Sequence, residues 1–417
     1  MPKISILIPA YNVENYIDEC LESVLNQSLS DIEIICVDDA STDDTLSILR
    51  NYEEKDKRVK IYFHTENKGQ SCGRNLALSH ATGEYVYMLD ADDKIVPGAL
   101  EELYEICHSN ELDVVGFETH QFMDDDELKD KLPAKMISYD DMGVMNGAKA
   151  LSYCMSRDVF SLSVPTFMMR KEYLDEIGLL FVQGILHEDV GYIFELICRA
   201  GKIRFLHKVY FERRVRANST MTTAFTDRNI EGYLKSFLRS FEIEDELRKM
   251  YHEDKTFERA VRKWRRDIYG RIRQLYFATE ESIYWQCGGN VDENVRRMFQ
   301  MIKLGAIGKG QAEDILAGKM ISNNVTEVYL CGMGQYAERM IGVMSALDII
   351  VKGILVLEKK TNSFRGFPVI QISEAKKIDV PIILSVSHYY ADEYMEALEN
   401  KAENGALEIE KVIKVNF

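Results

Sequence analysis

Short apolar runs alternate with amphipathic segments of helix length over the first 118 residues. The runs rich in β-formers are Ile4–Ile8, Ile32–Val37, Val59–His64, Tyr85–Leu89 and Val114–Glu118. The segment after the first run has one helical stripe, formed by Ile17, Leu21, Val24 and Leu25. This alternation is typical of a Rossmann-like, mostly parallel α/β sheet with helices on its faces.

The pattern changes twice further along the chain. Between residues 124 and 229 the α/β alternation is no longer clear, and residues 230–320 carry mainly helical periodicity. A second α/β pattern follows, beginning with the strand-like VTEVYLCG and a glycine turn. We therefore predict an α/β domain over 1–229, a helical segment over 230–320 and a small Rossmann-like domain over 321–417.

Composition narrows the class of protein. The 417 residues are 46% hydrophobic, enough for two or three cores. A formal charge of -17 argues against a nucleic-acid binder, which needs a basic surface. The sequence has no apolar stretch of spanning length and no signal-peptide pattern, so we expect a cytoplasmic protein. Eight cysteines without a Cys-x-x-Cys spacing are expected to be reduced core residues.

An acidic motif follows the fourth apolar run. Strand alternation places Asp90 and Asp92 on the same side, so their carboxylates are expected to converge past the end of the strand. Two carboxylates of this kind suit Mn²⁺ or Mg²⁺, which completes its shell with phosphate oxygens, so a nucleotide diphosphate is the expected ligand. The alternative is an acidic loop in which Asp93 caps the helix that starts near Pro97.

Two further motifs have the composition of a nucleotide site. VDDASTDDT follows the second apolar run, where a carboxylate is able to accept hydrogen bonds from a base or a ribose; a helix cap is the alternative. NKGQSCGRN combines turn-forming glycines with Arg74, whose charge would neutralise a diphosphate.

In this order, the motifs carry a resemblance to a known family. From Lys3 to about Met221 the chain resembles the inverting glycosyltransferase family 2, whose fold is called GT-A, through PAYN, VDDASTDDT, NKGQSCGRN and DADD. The resemblance implies that the nucleotide is held by Pro9, Tyr11, Asp39 and Arg74. It gives the metal and diphosphate role to Asp90 and Asp92.

The resemblance also implies a catalytic base and a basic loop. Family members have a Glu-Asp pair about a hundred residues beyond the metal motif, which Glu188-Asp189 matches here, and Asp189 is the candidate base. The alternative is an acidic helix start without a catalytic role. A basic segment with Arg213, Arg214 and Arg216 lies where family members close over the donor diphosphate; Arg216 is our candidate, and the choice among the three stays open.

The C-terminal part has a weaker resemblance. Gly332-Met333-Gly334 follows a strand, and Glu358 lies near the position of a ribose-binding acid. Residues 324–416 look like the small nucleotide-sugar-binding domains of bacterial polysaccharide enzymes; ligand binding and a packing role are both open. The basic helix over residues 259–273 fits either a solvated face or a peripheral contact with anionic lipids at the inner face of the membrane.

The expected activity is transfer of a hexosyl or N-acetylhexosaminyl group from a nucleotide-sugar donor, a UDP-sugar, to a glycan or lipid-linked glycan acceptor of the cell surface. The alternative is a non-catalytic nucleotide-sugar sensor or scaffold. A dehydrogenase leaves the DADD motif unexplained, and a nucleotidyltransferase would need a glycine-rich basic loop in place of PAYN. A homo-oligomer is left open, and the sugar, acceptor and linkage are not determined.

Overall fold

The structure is a computed structural model. It describes residues 1–123, 137–216, 227–252, 254–278, 293–295, 297–298, 311–375, 378–386, 388–403 and 412–414. These fall into two compact units: the first takes in the described residues of Met1–Ser236 and Glu246–Trp264, and the second those of Phe237–Asp245, Arg265–Phe277 and 293 onward. The three-part division at 229/230 and 320/321 stays a prediction.

The first unit contains a mixed sheet. Its strands are β1 (Ile4–Ala10), β2 (Ile32–Asp38), β3 (Val59–Phe63), β4 (Tyr85–Met88), β5 (Lys94–Ile95), β6 (Val114–Met123), β7 (Phe167–Arg170) and β8 (Ile203–Val215). The order across the sheet is β3-β2-β1-β4-β7-β6-β8-β5. Strands β1 to β4 are mutually parallel, whereas β7 is antiparallel to both of its neighbours. The predicted Rossmann-like, mostly parallel sheet is confirmed.

Helices lie between these strands along the chain. They are α1 (Ile17–Leu25), α2 (Thr45–Lys55), α3 (Gln70–His80), α4 (Ala99–Asn110), α5 (Gly147–Arg157), α6 (Lys171–Ile177) and α7 (Asp189–Arg199). The predicted stripe of α1 is buried in one hydrophobic cluster with Ile6 and Ile8 of β1. Burial of this stripe is what fixes α1 on the sheet, since an isolated nine-residue helix is marginal in water.

Residues 137–216 are more regular than their sequence pattern indicates. Strand β7 has only four residues, too few for a period-two pattern to emerge. Strand β8 has thirteen residues, but buried and half-exposed positions alternate irregularly along it. Its pairing with β6 extends that strand to Met123, five residues beyond the predicted end.

The second unit contains its own sheet. The strands are β9 (Glu327–Cys331), β10 (Ile350–Val356), β11 (Ser363–Phe364), β12 (Phe367–Gln371), β13 (Ile382–Leu384) and β14 (Val412–Lys414), in the order β11-β12-β10-β9-β13-β14. All neighbours are parallel except β11 and β12. Strand β9 therefore lies at the point where the order reverses, as in Rossmann-like sheets.

Helices complete the described chain. They are α8 (Asp227–Glu242), α9 (Glu244–Met250), α10 (Lys255–Ala278), α11 (Gln311–Ser322), α12 (Gln335–Ala346) and α13 (His388–Glu403). The predicted apolar stripe of α10 is buried, from Val261 to Leu275. Two of its basic residues serve structure: Lys263 donates to the Met155 carbonyl, and the buried Arg265 donates to Ser240.

Two expectations concern the chain as a whole. No helix within the described ranges is both long enough and apolar enough to cross a membrane. Seven cysteines within the described residues form no disulfide and six of them are buried, as the sequence predicts; Cys287 lies outside the described residues.

Candidate functional site

Hydrogen bonds join the loops that follow β1 and β2. Asn12 adopts a left-handed backbone (φ 52°), and its Oδ1 accepts a hydrogen bond of 2.8 Å from the Thr42 amide. In return, the Asn12 amide donates to Ser41 Oγ at 3.0 Å. This exchange fixes the edge of the sheet at which Pro9 and Tyr11 end strand β1.

Of the two candidates on β1, one is buried and one is exposed. A Cβ added to Gly73 of α3 would lie 3.2 Å from Pro9 Cβ, so proline and glycine let the helix approach the strand closely. Tyr11 is 45% exposed. A large exposed ring at the carboxyl end of a parallel strand lies where open α/β sheets bind ligands.

Asp39 is buried and already engaged. Its Oδ1 lies 2.6 Å from His64 Nδ1 and accepts the Lys68 amide at 3.0 Å, while its Oδ2 accepts the Gly69 amide at 2.7 Å. Gly69 has φ +88°, a conformation that favours glycine at the residue preceding α3. The carboxylate therefore connects the end of β2 to the start of α3.

The acidic motif forms a turn after β4 rather than a continued strand. The strand ends at Met88, and the Asp93 amide donates to the Asp90 carbonyl at 3.0 Å. The sequence predicts that strand alternation places Asp90 and Asp92 on the same side. That reason is wrong, because the strand ends at Met88 and the chain turns over Asp90–Asp93. Asp93 does not cap α4 either: it is buried, and its Oδ1 accepts the Arg214 amide at 2.7 Å.

The turn concentrates negative charge. Burial, together with the charges of Asp92 and Asp90, raises the pKa of Asp93 well above its ordinary value. Asp90 Oδ1 accepts hydrogen bonds of 2.9 Å from both Gln70 and Arg74. These neighbouring acids create a local preference for cationic partners.

Arg74 joins three carboxylates that are distant in sequence. Its guanidinium donates through Nη1 to Glu188 Oε1 at 2.9 Å and to Asp189 Oδ1 at 2.7 Å, and through Nη2 to Asp90 Oδ1 at 2.9 Å. The side chain is 1% exposed, with the Phe181 ring centre 5.1 Å from Cζ. The structure thus brings together the predicted residues Arg74, Asp90 and Asp189.

Glu188 and Asp189 stand at the start of α7. The preceding His187 has φ 59°, which turns the chain into the helix. Burial and the neighbouring Asp189 charge raise the pKa of Glu188 to about 7, although Arg74 opposes the shift. Burial also raises the pKa of Asp189; Arg74 opposes this increase and Asp90 adds to it. A carboxylate with a raised pKa is a stronger proton acceptor once it is ionised.

The basic residues at the end of β8 differ in their surroundings. Arg214 is buried, donates through Nε to the Asp92 carbonyl at 2.9 Å and pairs with Glu19. Arg216 is partly exposed, and its Nε donates to Asp92 Oδ2 at 2.6 Å. Arg214 is thus held in the protein interior, whereas Arg216 reaches the acidic turn at its surface.

Sequence reasoning did not assign a site role to Gln70 or Asn75, and it named Glu188 only as part of the Glu-Asp pair. Gln70 donates to Asp90, Glu188 shares Arg74 with Asp189, and Asn75 exchanges two hydrogen bonds of 2.9 Å with the backbone of Phe181. Gln70 and Asn75 belong to the NKGQSCGRN motif, so their position beside Arg74 on α3 was an available signal. The partnership with Phe181 spans 106 positions and has no local signature.

In the second unit, the predicted nucleotide fingerprint consists of the glycine turn at Gly332 and the acidic residue Glu358. Gly332 has φ +92°, and an added Cβ would lie 2.3 Å from Val386 Cγ1, so packing alone requires this glycine. Glu358 is exposed, with its carboxylate 3.5 Å from Lys360 Nζ. Ribose binding by Glu358 stays a prediction.

Comparison with known proteins agrees with this geometry. The model of the family "Glycosyl transferase family 2" matches residues 5–178. An uncharacterized glycosyltransferase of Haemophilus influenzae is 35% identical over 198 residues, which cover 48% of this chain and 72% of the relative. A poly(ribitol-phosphate) beta-glucosyltransferase of Bacillus spizizenii is 45% identical over 115 residues, 27% of this chain and 18% of that protein.

Solved structures support the fold. A crystal structure of residues 1–349 of S. aureus TarS in complex with UDP-GlcNAc matches with a TM-score of 0.51 and 21% identity. The match covers 77% of this chain and 91% of that one. With the family match and the H. influenzae relative, the predicted resemblance is confirmed: this chain belongs to glycosyl transferase family 2 and is a glycosyltransferase of GT-A fold.

Proposed function

We propose that this glycosyltransferase moves a hexosyl or N-acetylhexosaminyl group from a UDP-sugar, with inversion, to a hydroxyl of a glycan or lipid-linked glycan in cell-surface polysaccharide synthesis. A cytoplasmic location at the inner face of the membrane and a homo-oligomer stay predictions. The proposal depends most on one observation: a single guanidinium, that of Arg74, contacts both Asp90 and Asp189.

Asp189 has the features of the base in this proposal. Its Oδ1 accepts from Arg74, whereas its Oδ2 accepts no hydrogen bond from the described part of the chain, and the side chain is 23% exposed. The acceptor hydroxyl would give its proton to Oδ2 as its oxygen bonds to the anomeric carbon. The bond from that carbon to the diphosphate oxygen breaks in the same displacement, and the configuration inverts.

The acidic turn fits a divalent cation. Asp90 and Asp92 each use one carboxylate oxygen in the hydrogen bonds described above, and the other oxygen accepts none from the described residues. No group of three or more metal-ligating side chains converges anywhere in the described ranges. Asp90 and Asp92 would therefore hold Mn²⁺ or Mg²⁺ as a two-carboxylate site completed by phosphate oxygens and water. When bound, such a cation neutralises charge on the departing diphosphate.

The nucleotide would lie along the carboxyl ends of β1 and β2. Tyr11 offers an exposed ring, and Asp39 holds the Lys68–Gly69 turn that faces the same edge. The Arg216 side chain would leave Asp92 and bind the diphosphate. The diphosphate is anionic like Asp92, and the Arg216 side chain is partly exposed.

The relatives support the choice of donor and pathway. The solved TarS complex contains UDP-GlcNAc, and the B. spizizenii relative is named for glucosyl transfer to poly(ribitol phosphate). The similarity to each is partial, so the donor and acceptor named here are a proposal for this chain.

The test is hydrolysis and binding of a panel of UDP-, GDP- and dTDP-sugars, in Mn²⁺ and in EDTA. Wild type should bind and slowly hydrolyse a UDP-sugar in Mn²⁺ only, and Asp92→Ala should lose both properties. Asp31→Ala is the matched control, since Asp31 precedes β2 at the opposite end of the strand. Binding that is unaffected by EDTA would contradict the metal site, and a preference for another nucleotide would contradict the donor.

A further inference from the structure

Arg74 has no surface left for a diphosphate. It is 1% exposed, and both terminal nitrogens are committed to Asp90, Glu188 and Asp189. Its remaining nitrogen, Nε, is buried and has no partner among the described residues. A phosphate would have to displace a carboxylate to reach this side chain.

We propose that Arg74 is a positioning residue, which holds Asp189 toward the acceptor and Asp90 toward the donor, and that it does not bind the diphosphate. This inference rests on the proposed function and specifies how that site is held together. It replaces the expectation that Arg74 neutralises the donor, which no observation on this chain has tested.

The charges around Arg74 explain why one cation is needed there. Three carboxylates, from Asp90, Glu188 and Asp189, meet a single guanidinium. Without it, like charges would repel one another in a largely buried site, and each would leave its position or take up a proton. A planar guanidinium has donors pointing in fixed directions, so it sets angles as well as charge.

Arg74 is itself held from the opposite side. Phe181 lies against the guanidinium, and its ring stacks on Tyr192 at 3.8 Å. Asn75, the next residue on α3, accepts from the Phe181 amide and donates to the Phe181 carbonyl. Helix α3 therefore carries Arg74 and also Asn75, which holds the Phe181 ring against the Arg74 guanidinium. These contacts give Arg74 the rigidity that a positioning role requires.

The experiment separates nucleotide binding from turnover. UDP affinity in Mn²⁺ is measured by calorimetry, and UDP-sugar hydrolysis by initial rates, for wild type, Arg74→Met, Arg74→Lys, Asp189→Asn and Arg216→Met. We expect Arg74→Met to keep UDP affinity within about threefold, because Asp92 and Arg216 still hold the cation and the diphosphate when Asp90 loses its guanidinium partner. Its kcat should fall by about 10²-fold or more, as for Asp189→Asn. Arg74→Lys should recover part of kcat. Arg216→Met should instead lose UDP affinity.

Each other result counts against the inference. A loss of UDP affinity of about tenfold or more in Arg74→Met, with kcat little changed, would make Arg74 a diphosphate ligand. Wild-type hydrolysis in Arg74→Met, or a loss there that Asp189→Asn does not share, would also overturn it. If Arg74→Met does not fold by thermal melting, Arg74→Lys, which keeps the charge but not the planar group of donors, should show the same pattern: UDP affinity is kept and kcat falls below that of wild type. A wild type that neither binds nor hydrolyses any nucleotide sugar would refute the proposed function instead.

Discussion

At the scale of single residues, Asp189 combines features that are seldom found in one carboxylate. It is bound to a cation through one oxygen, and its other oxygen faces partly exposed space. Burial and the charge of Asp90 raise the pKa of Asp189, whereas Arg74 lowers it. Without Arg74, a larger fraction of Asp189 would be protonated at a given pH. Arg74 therefore keeps the carboxylate ionised where burial alone would favour the neutral acid.

The pH dependence of turnover follows from these shifts. Only ionised Asp189 accepts a proton, so kcat should fall as pH decreases, with a midpoint above the ordinary aspartate value of about 3.9. Glu188→Gln removes a neighbouring negative charge and should move this midpoint to lower pH. Initial rates of UDP-sugar hydrolysis across pH, at saturating donor, measure both. A rate that stays constant down to the ordinary carboxylate range would argue against Asp189 as the base.

Glu33 plays a purely structural part in the same sheet. It is buried on β2 and accepts hydrogen bonds from Ser5 Oγ, the Thr82 amide and hydroxyl, and Lys60 Nζ, all between 2.7 and 2.8 Å. Burial raises its pKa, but the bonds from Lys60, Ser5 and Thr82 outweigh that effect and lower it to about 2. The ionised form is therefore favoured by the fold.

Replacement of Glu33 should reveal this contribution. Because the folded pKa lies below the ordinary value of 4.5, ionisation stabilises the fold above that pH, and the gain is lost as pH falls toward about 2. Glu33→Gln should lower the free energy of unfolding at pH 7 by about 2–3 kcal/mol, and the difference from wild type should narrow in acid. Urea unfolding measures it, with the exposed Glu54→Gln as control. An equal loss at pH 7 and in strong acid would contradict this account.

At the scale of elements, helix α8 approaches the chain just before the Glu-Asp pair more closely than a side chain would allow. A Cβ added to Gly232 would lie 1.6 Å from the Leu186 carbonyl oxygen. His187 of the same loop lies 2.9 Å from Asn229 on α8, through Nε2. The helix therefore supports the turn from which Glu188 and Asp189 project.

Two glycine-to-alanine substitutions test this contact. Gly232→Ala should destabilise the protein by about 1–3 kcal/mol or more and lower hydrolysis, because Leu186 must move and the base moves with it. Gly270→Ala in α10 has open space around the new Cβ and should stabilise by up to about 1 kcal/mol through helix propensity, with activity unchanged. Thermal melting and initial rates distinguish them. A Gly232→Ala variant with wild-type stability and rate would refute the close contact.

The elements were predictable where their signal is local. Strands β1 to β4 appear as short runs rich in β-formers, and the stripe of α10 appears as a helical period, so each could be predicted from about fifteen residues or fewer. Strand β7 is too short for its period, and β8 pairs with a strand some 90 positions earlier. Contacts of that kind depend on tertiary pairing, which no local pattern carries.

At the scale of the whole molecule, we expect amide hydrogen exchange in the two α/β units to respond differently to a nucleotide. UDP with Mn²⁺ should slow amide hydrogen exchange in residues 10–12, 68–74 and 90–93 of the first unit, because binding suppresses local opening. The glycine turn after β9 should not respond, since packing against Val386 accounts for Gly332. Exchange followed by mass spectrometry measures both. Protection at residues 332–336 by UDP would assign a nucleotide role to the second unit.

Much of the candidate site was likewise predictable as a set of residues but not as an arrangement. Asp90, Arg74 and Asp189 were identified from separate motifs, and the structure adds that one guanidinium joins them. The expected diphosphate contact of Arg74 stays a prediction, and what the sequence does not indicate is its burial beneath Phe181, which depends on a loop a hundred positions away. Burial is a property of the assembled fold, so residue type alone could not reveal it.

The distance along the chain between Arg74 and its acids has a consequence for synthesis. Asp90 follows Arg74 by 16 positions, but Asp189 follows it by 115. On the ribosome, Arg74, Asp90 and Asp92 emerge well before the candidate base, and α7 must close a long loop to meet them. A nascent chain that stops short of α7 therefore contains the motifs around Asp39, Arg74 and Asp90 yet lacks both the candidate base and Arg216, the candidate diphosphate clamp. Premature termination would leave Arg74 with one of its three carboxylate partners, Asp90.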